Sequence, residues 1–248
     1  MSFQTRKRLI LEELDKRGEA GVKGLAELLE TSEITVRRDL AHLAAEGWLE
    51  RTHGGAMKAS VVKAPFSFSD KASAHNEAKD YIGKLAAAQV QDGEVVFMDC
   101  GSTVYRMCTY LKEKRITVIT NSLPVVLELI NTAVSINLVG GELDPARQAV
   151  HGRMAEEHIS RYQADRAFVG AGGVSVARGL SADSELEAGI TLAMATHARH
   201  AYLLCDESKL EQNRYLAFAP LTLIQTLITN AEPEKLTEYE ELGVQVRR

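Results

Sequence analysis

The fold is decided by TSEITVRRDL, residues 31–40, and by RTHGGA, residues 51–56. At 3.6 residues per turn, three apolar residues of the first stretch and its continuation fall on one face: Val36, Leu40 and Leu43. Arg37 and Arg38 project from the other side. The pattern predicts a short helix with one buried face and one face that carries arginines. Such a helix beside a basic hairpin is typical of proteins that grip duplex DNA.

The ends of this helix carry recognisable signals. Ser32 is placed to cap its start, because a serine hydroxyl accepts a hydrogen bond from a free first-turn amide. The positive dipole at that end adds attraction for phosphate. Gly47 is expected to close the helix. A hairpin then begins with Trp48, Leu49 and Arg51, and Gly54–Gly55 lets its backbone turn or approach a sugar-phosphate strand closely.

Two earlier helices are predicted over 6–16, stopped by Gly18, and 22–29. Their apolar residues are Leu9, Ile10, Leu14, Leu25, Leu28 and Leu29. Three helices followed by a hairpin indicate a winged helix-turn-helix, with the third helix expected in the major groove. The candidate DNA contacts are Ser32, Thr35, Arg37, Arg38, His53, Gly54 and Gly55. The alternative for the paired arginines alone is an ordinary solvated helix face.

Net charge neither supports nor excludes DNA binding. Residues 1–60 carry 10 Lys+Arg and 10 Asp+Glu, and the whole chain has a formal charge of −5. A basic surface must therefore come from clustering. The expected clusters are residues 6–8, Arg37 with Arg38, and Arg51 with His53 and Lys58.

The stretch from Arg6 to Ala56 resembles the N-terminal domain of DeoR-family transcriptional regulators. The hallmark of that family is a Ser-x-x-Thr-[Ile/Val]-Arg-Arg-Asp-Leu helix followed by a His-Gly-Gly-Ala wing. The matching residues here are Ser32, Thr35, Val36, Arg37, Arg38, Asp39 and Leu40, then His53, Gly54, Gly55 and Ala56. The resemblance implies binding to double-stranded operator DNA, usually to repress operons of sugar uptake and catabolism.

Length and composition indicate two domains in one soluble chain. The 248 residues are 45% hydrophobic and 25% charged, and no apolar run is long enough to span a membrane. Cys100, Cys108 and Cys205 lack Cys-x-x-Cys spacing and are typical of reduced residues in a cytoplasmic protein. We expect a DNA-binding domain over 1–58, a linker over 59–74, and an effector-binding and oligomerisation domain over 75–248.

The second domain is predicted to be α/β. Continuous apolar strands are expected at 94–99, 116–121, 135–141, 166–173, 201–206 and 222–230, with a C-terminal VQVRR segment. Helices are expected at 76–89, 104–112, 124–130 and 184–197. Apolar strands alternating with helices predict a mostly parallel sheet covered on both faces.

Ligands of such sheets bind beyond the carboxyl ends of the strands, where this sequence repeatedly places small, polar or charged residues. The candidate effector contacts are Asp99, Gly101, Ser102, Thr103, Asn121, Ser122, Gly141, Arg147, Gly172, Asp206 and Lys209. Residues 101–103 also begin a helix, so amides and hydroxyls there suit an anion. Lys209 and Arg147 supply positive charge for a phosphate. The expected ligand is small, polar and anionic.

The second domain also resembles DeoR-family regulators, whose effector domain is related in fold to ribose-5-phosphate isomerase and glucosamine-6-phosphate deaminase. The matching motifs are DCGST (99–103), TNS (120–122), LVGG (138–141) and Asp206-x-Ser208-Lys209. The resemblance implies a phosphorylated sugar as effector and no cofactor. The chain departs from the family at Leu210–Glu211, where Phe-Gly is common, and at 172–173 and 181–183.

Some residues of the second domain also suggest other functions. A sugar-phosphate isomerase or deaminase would use carboxylates such as Asp99, Asp183 and Glu185 as bases. The Gly170-x-Gly172 pair lacks the third glycine of a dinucleotide loop. His197 and His200 lack a third metal ligand, so no metal is expected.

The quaternary state expected is a homo-dimer or tetramer, since one winged helix buries too little duplex for tight specific binding. Effector binding would then shift an equilibrium between arrangements that match paired half-sites and arrangements that do not.

Overall fold

The computed structural model describes residues 3–45, 48–52, 54–58 and 75–248. The chain divides into two units, Met1–Pro65 and Phe66–Arg248. The expected linker over 59–74 and the predicted roles of Gly47 and His53 lie outside the described residues. The domain bounds proposed from the sequence therefore stay a prediction.

The first unit combines helices with a small antiparallel sheet. Its described helices are α1 (Phe3–Arg17), α2 (Val22–Leu28) and α3 (Glu33–Ala45). Its described strands are β1 (Glu19–Gly21), β2 (Leu49–Arg51) and β3 (Gly55–Lys58), in the spatial order β1-β3-β2. The helices and the β2–β3 hairpin agree with the predicted winged helix-turn-helix. Strand β1 was not predicted, because Glu-Ala-Gly carries no alternating apolar pattern.

The core of the first unit contains the apolar faces that the helical period predicts. Val36, Leu40 and Leu43 are at most 1% exposed, and they pack with Ile10 and Leu14 of α1. Leu28 is an exception, since the sequence placed it in the core and the structure leaves it 47% exposed at the last position of α2. Val22, Leu25 and Leu29 carry the buried face of that segment.

Over residues 75–248 the second unit is built on a seven-stranded parallel sheet in the order β15-β14-β12-β9-β4-β5-β6. Its strands are β4 (Val95–Met98), β5 (Thr117–Thr120), β6 (Ser135–Leu138), β9 (Ala164–Val169), β12 (Ala198–Leu204), β14 (Thr226–Ile228) and β15 (Gln245–Arg247). The central strands alternate between two cores. Phe97 and Ile119 face one, while Val96 and Met98 face the other. Both faces of the sheet are covered, as the apolar strands predicted.

The helices of the second unit are short. They are α4 (Asn76–Ala87), α5 (Ser102–Tyr105), α6 (Cys108–Leu111), α7 (Leu123–Leu129), α8 (Arg153–Ile159), α9 (Glu185–Thr196) and α10 (Thr237–Glu241). The single helix predicted over 104–112 is thus two short helices. Residues 222–230, predicted as one strand, contain the end of a 3-10 turn (Leu221–Leu223) and strand β14.

The sequence did not predict two small antiparallel sheets of the second unit. One is the hairpin of β7 (Glu142–Asp144) and β8 (Ala149–His151), and the other is a sheet in the order β10-β11-β13. The latter comprises β10 (Gly173–Ser175), β11 (Gly179–Ala182) and β13 (Leu216–Ala219). The predicted strand over 166–173 is wrong at its end, because β9 stops at Val169 and Gly173 begins β10. The intervening glycine-rich turn follows the carboxyl end of β9.

Candidate functional site

The first turn of α3 is held by two of the predicted DNA contacts. Ser32 Oγ accepts a hydrogen bond from the Thr35 amide at 3.3 Å, and the two hydroxyls lie 3.0 Å apart. Ser32 therefore caps the helix as predicted. Ser32 is exposed and Thr35 is half-buried. Both side chains can exchange this mutual contact for one with a phosphate or a base.

The solvent face of α3 carries the two arginines. Arg37 and Arg38 are exposed, and Ile34 beside them is 78% exposed. Arg37 Nη2 donates to Glu33 Oε2 at 2.8 Å, one helical turn earlier. An exposed pair of this kind contributes little to stability, so the guanidinium is available to exchange Glu33 for a more favourable anion.

Within the predicted basic cluster at residues 6–8, Arg6 turns inward and Arg8 is exposed. Arg6 donates from Nε to Asp39 Oδ2 at 2.6 Å and from Nη2 to Asp39 Oδ1 at 3.1 Å. Asp39 is 2% exposed, and its hydrogen bond raises the pKa of Arg6. The Lys7 ammonium lies 4.1 Å from the centre of a Trp48 ring, and Arg8 approaches a glutamate one turn along α1. Arg6 thus stabilises the unit instead of offering charge to DNA.

The two glycines of the hairpin have different surroundings. Gly54 is exposed, and a Cβ added there would meet nothing within 4 Å. Gly55 is buried, and a Cβ there would lie 2.1 Å from the Ala20 carbonyl oxygen and 2.8 Å from Gly21 Cα. The close backbone approach that we assigned to DNA at Gly55 is made to β1 of the same chain. Gly54 remains a candidate for a DNA contact.

A cavity opens in the second unit at the carboxyl ends of β4, β9 and β12. Seven predicted effector residues line it: Asp99, Gly101, Ser102, Thr103, Arg147, Gly172 and Lys209. The volume of the cavity is about 60 Å³.

Asp99 fixes the floor of this cavity. Its Oδ1 accepts a hydrogen bond from the Gly101 amide at 2.7 Å and its Oδ2 accepts one from the Gly170 amide at 2.6 Å. The carboxyl group thereby joins the loops that follow β4 and β9. Burial raises the pKa of Asp99 to about 6, although the two amides and the Lys209 charge oppose that rise.

The cations of the cavity are held by protein groups. Lys209 Nζ donates to the Ala171 carbonyl oxygen at 2.9 Å. Arg147 forms an ion pair with Glu187. Arg147 lies in the turn between β7 and β8, where Asp144 Oδ1 accepts hydrogen bonds from two turn amides. Two cations therefore face two carboxylates, Asp99 and Glu187, across a small space.

Asn121 and Ser122 are not among the residues that line this cavity. Asn121 is fully buried and its Nδ2 donates to the Val150 carbonyl oxygen at 2.9 Å. Ser122 Oγ caps α7 by accepting from the Val125 amide at 3.4 Å. Both residues position the β8 segment and α7 beside the site.

Gly141 and Asp206 also lie outside the lining. A Cβ at Gly141 would come within 2.8 Å of the His151 carbonyl oxygen, so this glycine permits close packing against β8. Asp206 Oδ1 accepts a hydrogen bond from the Ser208 amide at 3.1 Å and caps the 3-10 turn Glu207–Lys209. Asp206 thereby positions Lys209.

Several lining residues were not predicted. They include Cys100, His151, Glu187, Ile190, Thr191 and Phe218. Cys100 stands inside the quoted DCGST motif, but His151 depends on a hairpin without a clear strand pattern. Burial raises the pKa of the Cys100 thiol to about 12, and the charges of Asp99 and Glu187 add to that rise. Burial lowers the pKa of His151.

The residues considered for catalysis or metal binding lie outside the cavity or contact other groups of the protein. Asp183 and Glu185 do not line the cavity. His197 contacts the Ala193 carbonyl oxygen at 2.9 Å, and His200 Nε2 lies 2.8 Å from Thr226 Oγ1. Across the described ranges, His, Cys, Asp and Glu side chains form no group of three able to hold a metal ion. Within the same ranges, every helix is too short or too polar to cross a lipid bilayer.

Two family models match the chain. The DeoR C terminal sensor domain matches residues 74–231, and the DeoR-like helix-turn-helix domain matches residues 6–61. Among solved structures, ribose 5-phosphate isomerase A from Methanocaldococcus jannaschii aligns with a TM-score of 0.41 and 20% identity, over 55% of each chain.

Three relatives share 31–32% sequence identity with this chain over most of its length. The uncharacterized HTH-type transcriptional regulator FruR of Bacillus subtilis is 31% identical over 240 residues, 96% of each chain. The lactose phosphotransferase system repressor of Staphylococcus epidermidis is 31% identical over 238 residues, 92% of this chain and 94% of the relative. The HTH-type transcriptional regulator GlpR of Haloferax volcanii is 32% identical over 244 residues, 97% of this chain and 96% of the relative.

The two matched domains are found in transcriptional regulators, and the relatives are themselves named regulators or repressors. These matches set aside the alternative of an isomerase or deaminase. The chain is not an enzyme, and it belongs to the DeoR family of transcriptional regulators.

Proposed function

We propose that this protein is a sequence-specific repressor of a carbohydrate uptake or catabolism operon, released or strengthened on its operator by a phosphorylated sugar. The observation that carries the proposal is the combination, in one chain, of an exposed arginine face on α3 and a cavity lined by Lys209, Ser102 and Thr103. The relative named as a lactose phosphotransferase system repressor supports a carbohydrate operon. Both the duplex and a phosphorylated sugar are found in the cytoplasm, where we place the protein.

The DNA contacts are proposed for the exposed side of α3 and the tip of the hairpin. Thr35, Arg37 and Arg38 lie on that helix, Ser32 caps its start, and Gly54 is the open glycine of the hairpin. Arginines suit both guanine edges and phosphate oxygens, whereas hydroxyls suit phosphates. His53 is proposed as a further contact from its position in the sequence.

The cavity supports a ligand that has both an anionic group and hydroxyl groups. Lys209 and the hydroxyls of Ser102 and Thr103 can bind a phosphate. Asp99 and Glu187 are carboxylates, which repel a bare anion but accept hydrogen bonds from sugar hydroxyls. A phosphorylated sugar satisfies both sets of groups, whereas an unmodified sugar leaves Lys209 without a new partner.

Ligand entry is proposed to open the Arg147–Glu187 ion pair. Arg147 and Glu187 both line the cavity, and their ion pair joins the β7–β8 turn to α9. A phosphate that attracts Arg147 would separate the two side chains and move the turn relative to α9. The change in that contact is the local event through which we expect effector binding to reach the oligomer.

The assembly that binds DNA is proposed to be a homo-dimer or tetramer. We assign the winged helix to 1–58, the linker to 59–74, and oligomerisation with effector binding to 75–248. Two half-sites double the contacts, which gives tight binding that one module cannot supply. Light scattering together with footprinting on the operator tests this part, and a monomer protecting a single half-site would contradict it.

The whole proposal is tested by measuring operator binding while phosphorylated sugars are added. The operator is first selected from random duplexes by the purified protein, and its affinity is then followed by fluorescence anisotropy. Pentose and hexose phosphates are compared with the unphosphorylated sugars and with inorganic phosphate. We expect at least one sugar phosphate, and none of the unphosphorylated sugars, to change the affinity. A protein that selects no operator, or responds to none of the phosphates, would contradict the proposal.

A further inference from the structure

His151 has an unused hydrogen-bonding atom in the wall of the cavity. The residue ends β8, is 3% exposed and lines the cavity. Its Nε2 lies 3.9 Å from Cys100 Sγ, whereas its Nδ1 is buried without a hydrogen-bond partner. The Ala149 carbonyl raises the pKa of the imidazole, but it is not a hydrogen-bond partner of Nδ1.

An unpartnered buried nitrogen is unusual because burial has removed its hydrogen bonds to water and the protein supplies no replacement. Buried side-chain nitrogen and oxygen atoms nearly always have a partner, and an exception calls for an explanation such as a bound molecule. The histidine also stands among groups that a ligand would meet, since Cys100 and Thr191 line the same cavity. Burial lowers its pKa, so the neutral imidazole offers one donor and one acceptor nitrogen.

The sheet places His151 and Lys209 on two sides of the Asp99 loop. Lys209 follows β12, while β8 continues beside Ser122, which follows β5, through a bridge between Ser122 and Ala149. The sheet order from β12 to β5 passes through β9 and β4. Lys209 Nζ donates to the Ala171 carbonyl oxygen in the loop after β9, whereas His151 Nε2 lies 3.9 Å from Cys100 Sγ in the loop after the neighbouring strand β4. A positive charge and a neutral imidazole thus lie beside neighbouring loops, where they suit different groups of one ligand.

We propose that His151 is a specificity-determining residue, whose Nδ1 hydrogen-bonds a hydroxyl group of the phosphorylated sugar while Lys209 binds its phosphate. The inference rests on the function proposed above and adds the orientation of the ligand. Cys100 holds the other side of the imidazole at Nε2, which keeps Nδ1 in place.

The test uses three variants of the full-length protein and titration calorimetry. His151→Phe keeps a planar ring without nitrogen, His151→Asn keeps a polar atom near the position of Nδ1, and His151→Gln keeps one near Nε2. The probes are the sugar phosphate that binds the wild type most tightly in a screen of pentose and hexose phosphates, its single-deoxy analogues, and inorganic phosphate. Thermal melting verifies that each variant folds.

The expected result separates the hydroxyl from the phosphate. His151→Phe and His151→Gln should bind the sugar phosphate about 10- to 100-fold more weakly, while His151→Asn stays within about fivefold of the wild type. Inorganic phosphate should bind all four proteins within about twofold. One deoxy analogue should bind the wild type more weakly yet lose nothing further in His151→Phe, because the two changes remove the same hydrogen bond.

Other outcomes overturn the inference in distinguishable ways. Equal losses for the sugar phosphate and inorganic phosphate would assign His151 a merely structural role. Unchanged affinity in a folded His151→Phe would show that Nδ1 does not contact the ligand. If no sugar phosphate binds the wild type, the proposed function fails first and this inference fails with it.

Discussion

Arg6 and Asp39 join the first helix to the third through two parallel hydrogen bonds, of 2.6 and 3.1 Å. Asp39 is 2% exposed, on the helix that carries the exposed Arg37 and Arg38. The two arginines that precede it in sequence thus face solvent while it turns inward. The arginine pair can face DNA only if α3 keeps its orientation against α1, and this buried ion pair fixes that orientation.

Replacing Asp39 should therefore weaken the fold of the first unit. Asp39→Asn removes the charge that the Arg6 guanidinium contacts, and we expect the free energy of unfolding to fall by about 2–3 kcal/mol. Urea unfolding of the full chain, followed by fluorescence of Trp48, the only tryptophan, reports this unit directly. Glu12→Gln is the control, because its contact with Arg8 is exposed and should change stability by less than about 0.5 kcal/mol. Equal stabilities of the two variants would contradict the assignment.

The arginines of α3 should act on DNA affinity without changing the fold. Arg37→Ala and Arg38→Ala should each cost about 1–3 kcal/mol if they read a base, or lower the salt slope by about one unit if they contact a phosphate. Anisotropy titrations over a salt series distinguish these two cases. Arg199→Ala serves as the control, since Arg199 is an exposed arginine paired with a carboxylate in the second unit. Unchanged binding by both α3 variants would exclude α3 as the recognition helix.

Removing the negative charge of Glu33, on the same helix, should have the opposite effect on DNA binding. Glu33 accepts a hydrogen bond from Arg37 and places negative charge beside the proposed contact surface. Glu33→Gln should strengthen DNA binding, and the gain should shrink as salt rises, because exposed charges are screened. The measurement is the same salt series, and weaker binding by this variant at low salt would contradict the placement of DNA on this face.

The adjacent glycines of the hairpin should respond differently to a methyl group. Gly55→Ala forces a Cβ to within 2.1 Å of the Ala20 carbonyl oxygen, so β1 must separate from β3. We expect a loss of about 1–3 kcal/mol from overpacking. Gly54→Ala meets nothing within 4 Å and should stay within about 0.5 kcal/mol of the wild type. Trp48 fluorescence in urea gives both values, and equal losses would show that β1 does not require Gly55.

The sequence was sufficient for the parts of the fold that follow a regular period. Val36, Leu40 and Leu43 are buried at helical spacing, and apolar runs such as Val95–Met98 became central strands. Strand β1 and the β7–β8 hairpin were missed, since three-residue antiparallel strands contain too few positions to show alternation. Their pairing is decided by partners far along the chain.

The correctly predicted cavity residues follow central strands, except for Arg147 in the β7–β8 turn. Asp99 and Lys209 follow β4 and β12 and line the cavity, as the rule for parallel sheets predicts. Asn121 also follows a strand, but its amide binds the backbone of β8. His151 and Glu187 reach the cavity from the hairpin and from α9, and no strand-end rule identifies them. The same limit applies to Arg6, whose charge is neutralised by a contact 33 residues away.

Asp99 should titrate near neutral pH in the folded protein. Burial raises its pKa from 3.8 to about 6, while Lys209 lowers it. The folded state therefore binds more protons than the unfolded state between these values, so this group makes the free energy of unfolding fall as pH rises from about 4 to 6. Carboxyl carbon NMR of labelled protein measures the pKa. Lys209→Met should raise it further, whereas Lys235→Met should leave it unchanged, and an Asp99 pKa near 4 in the wild type would contradict this account.

Effector sensing and DNA binding should be separable by mutation. Lys209→Ala and Thr103→Val should leave operator affinity nearly unchanged without ligand, because neither residue belongs to the winged helix. Each should remove most of the response to a sugar phosphate, since one loses a positive charge and the other a hydroxyl in the cavity wall. Lys235→Ala removes an exposed lysine outside this cavity and should respond like the wild type. Coupling between sites is reciprocal, so the wild type must also bind effector with a different affinity when operator is present. Calorimetry with and without a short operator duplex measures both effects. If Lys209→Ala still binds the sugar phosphate with wild-type affinity, the signal enters the protein elsewhere than at the ends of β4, β9 and β12.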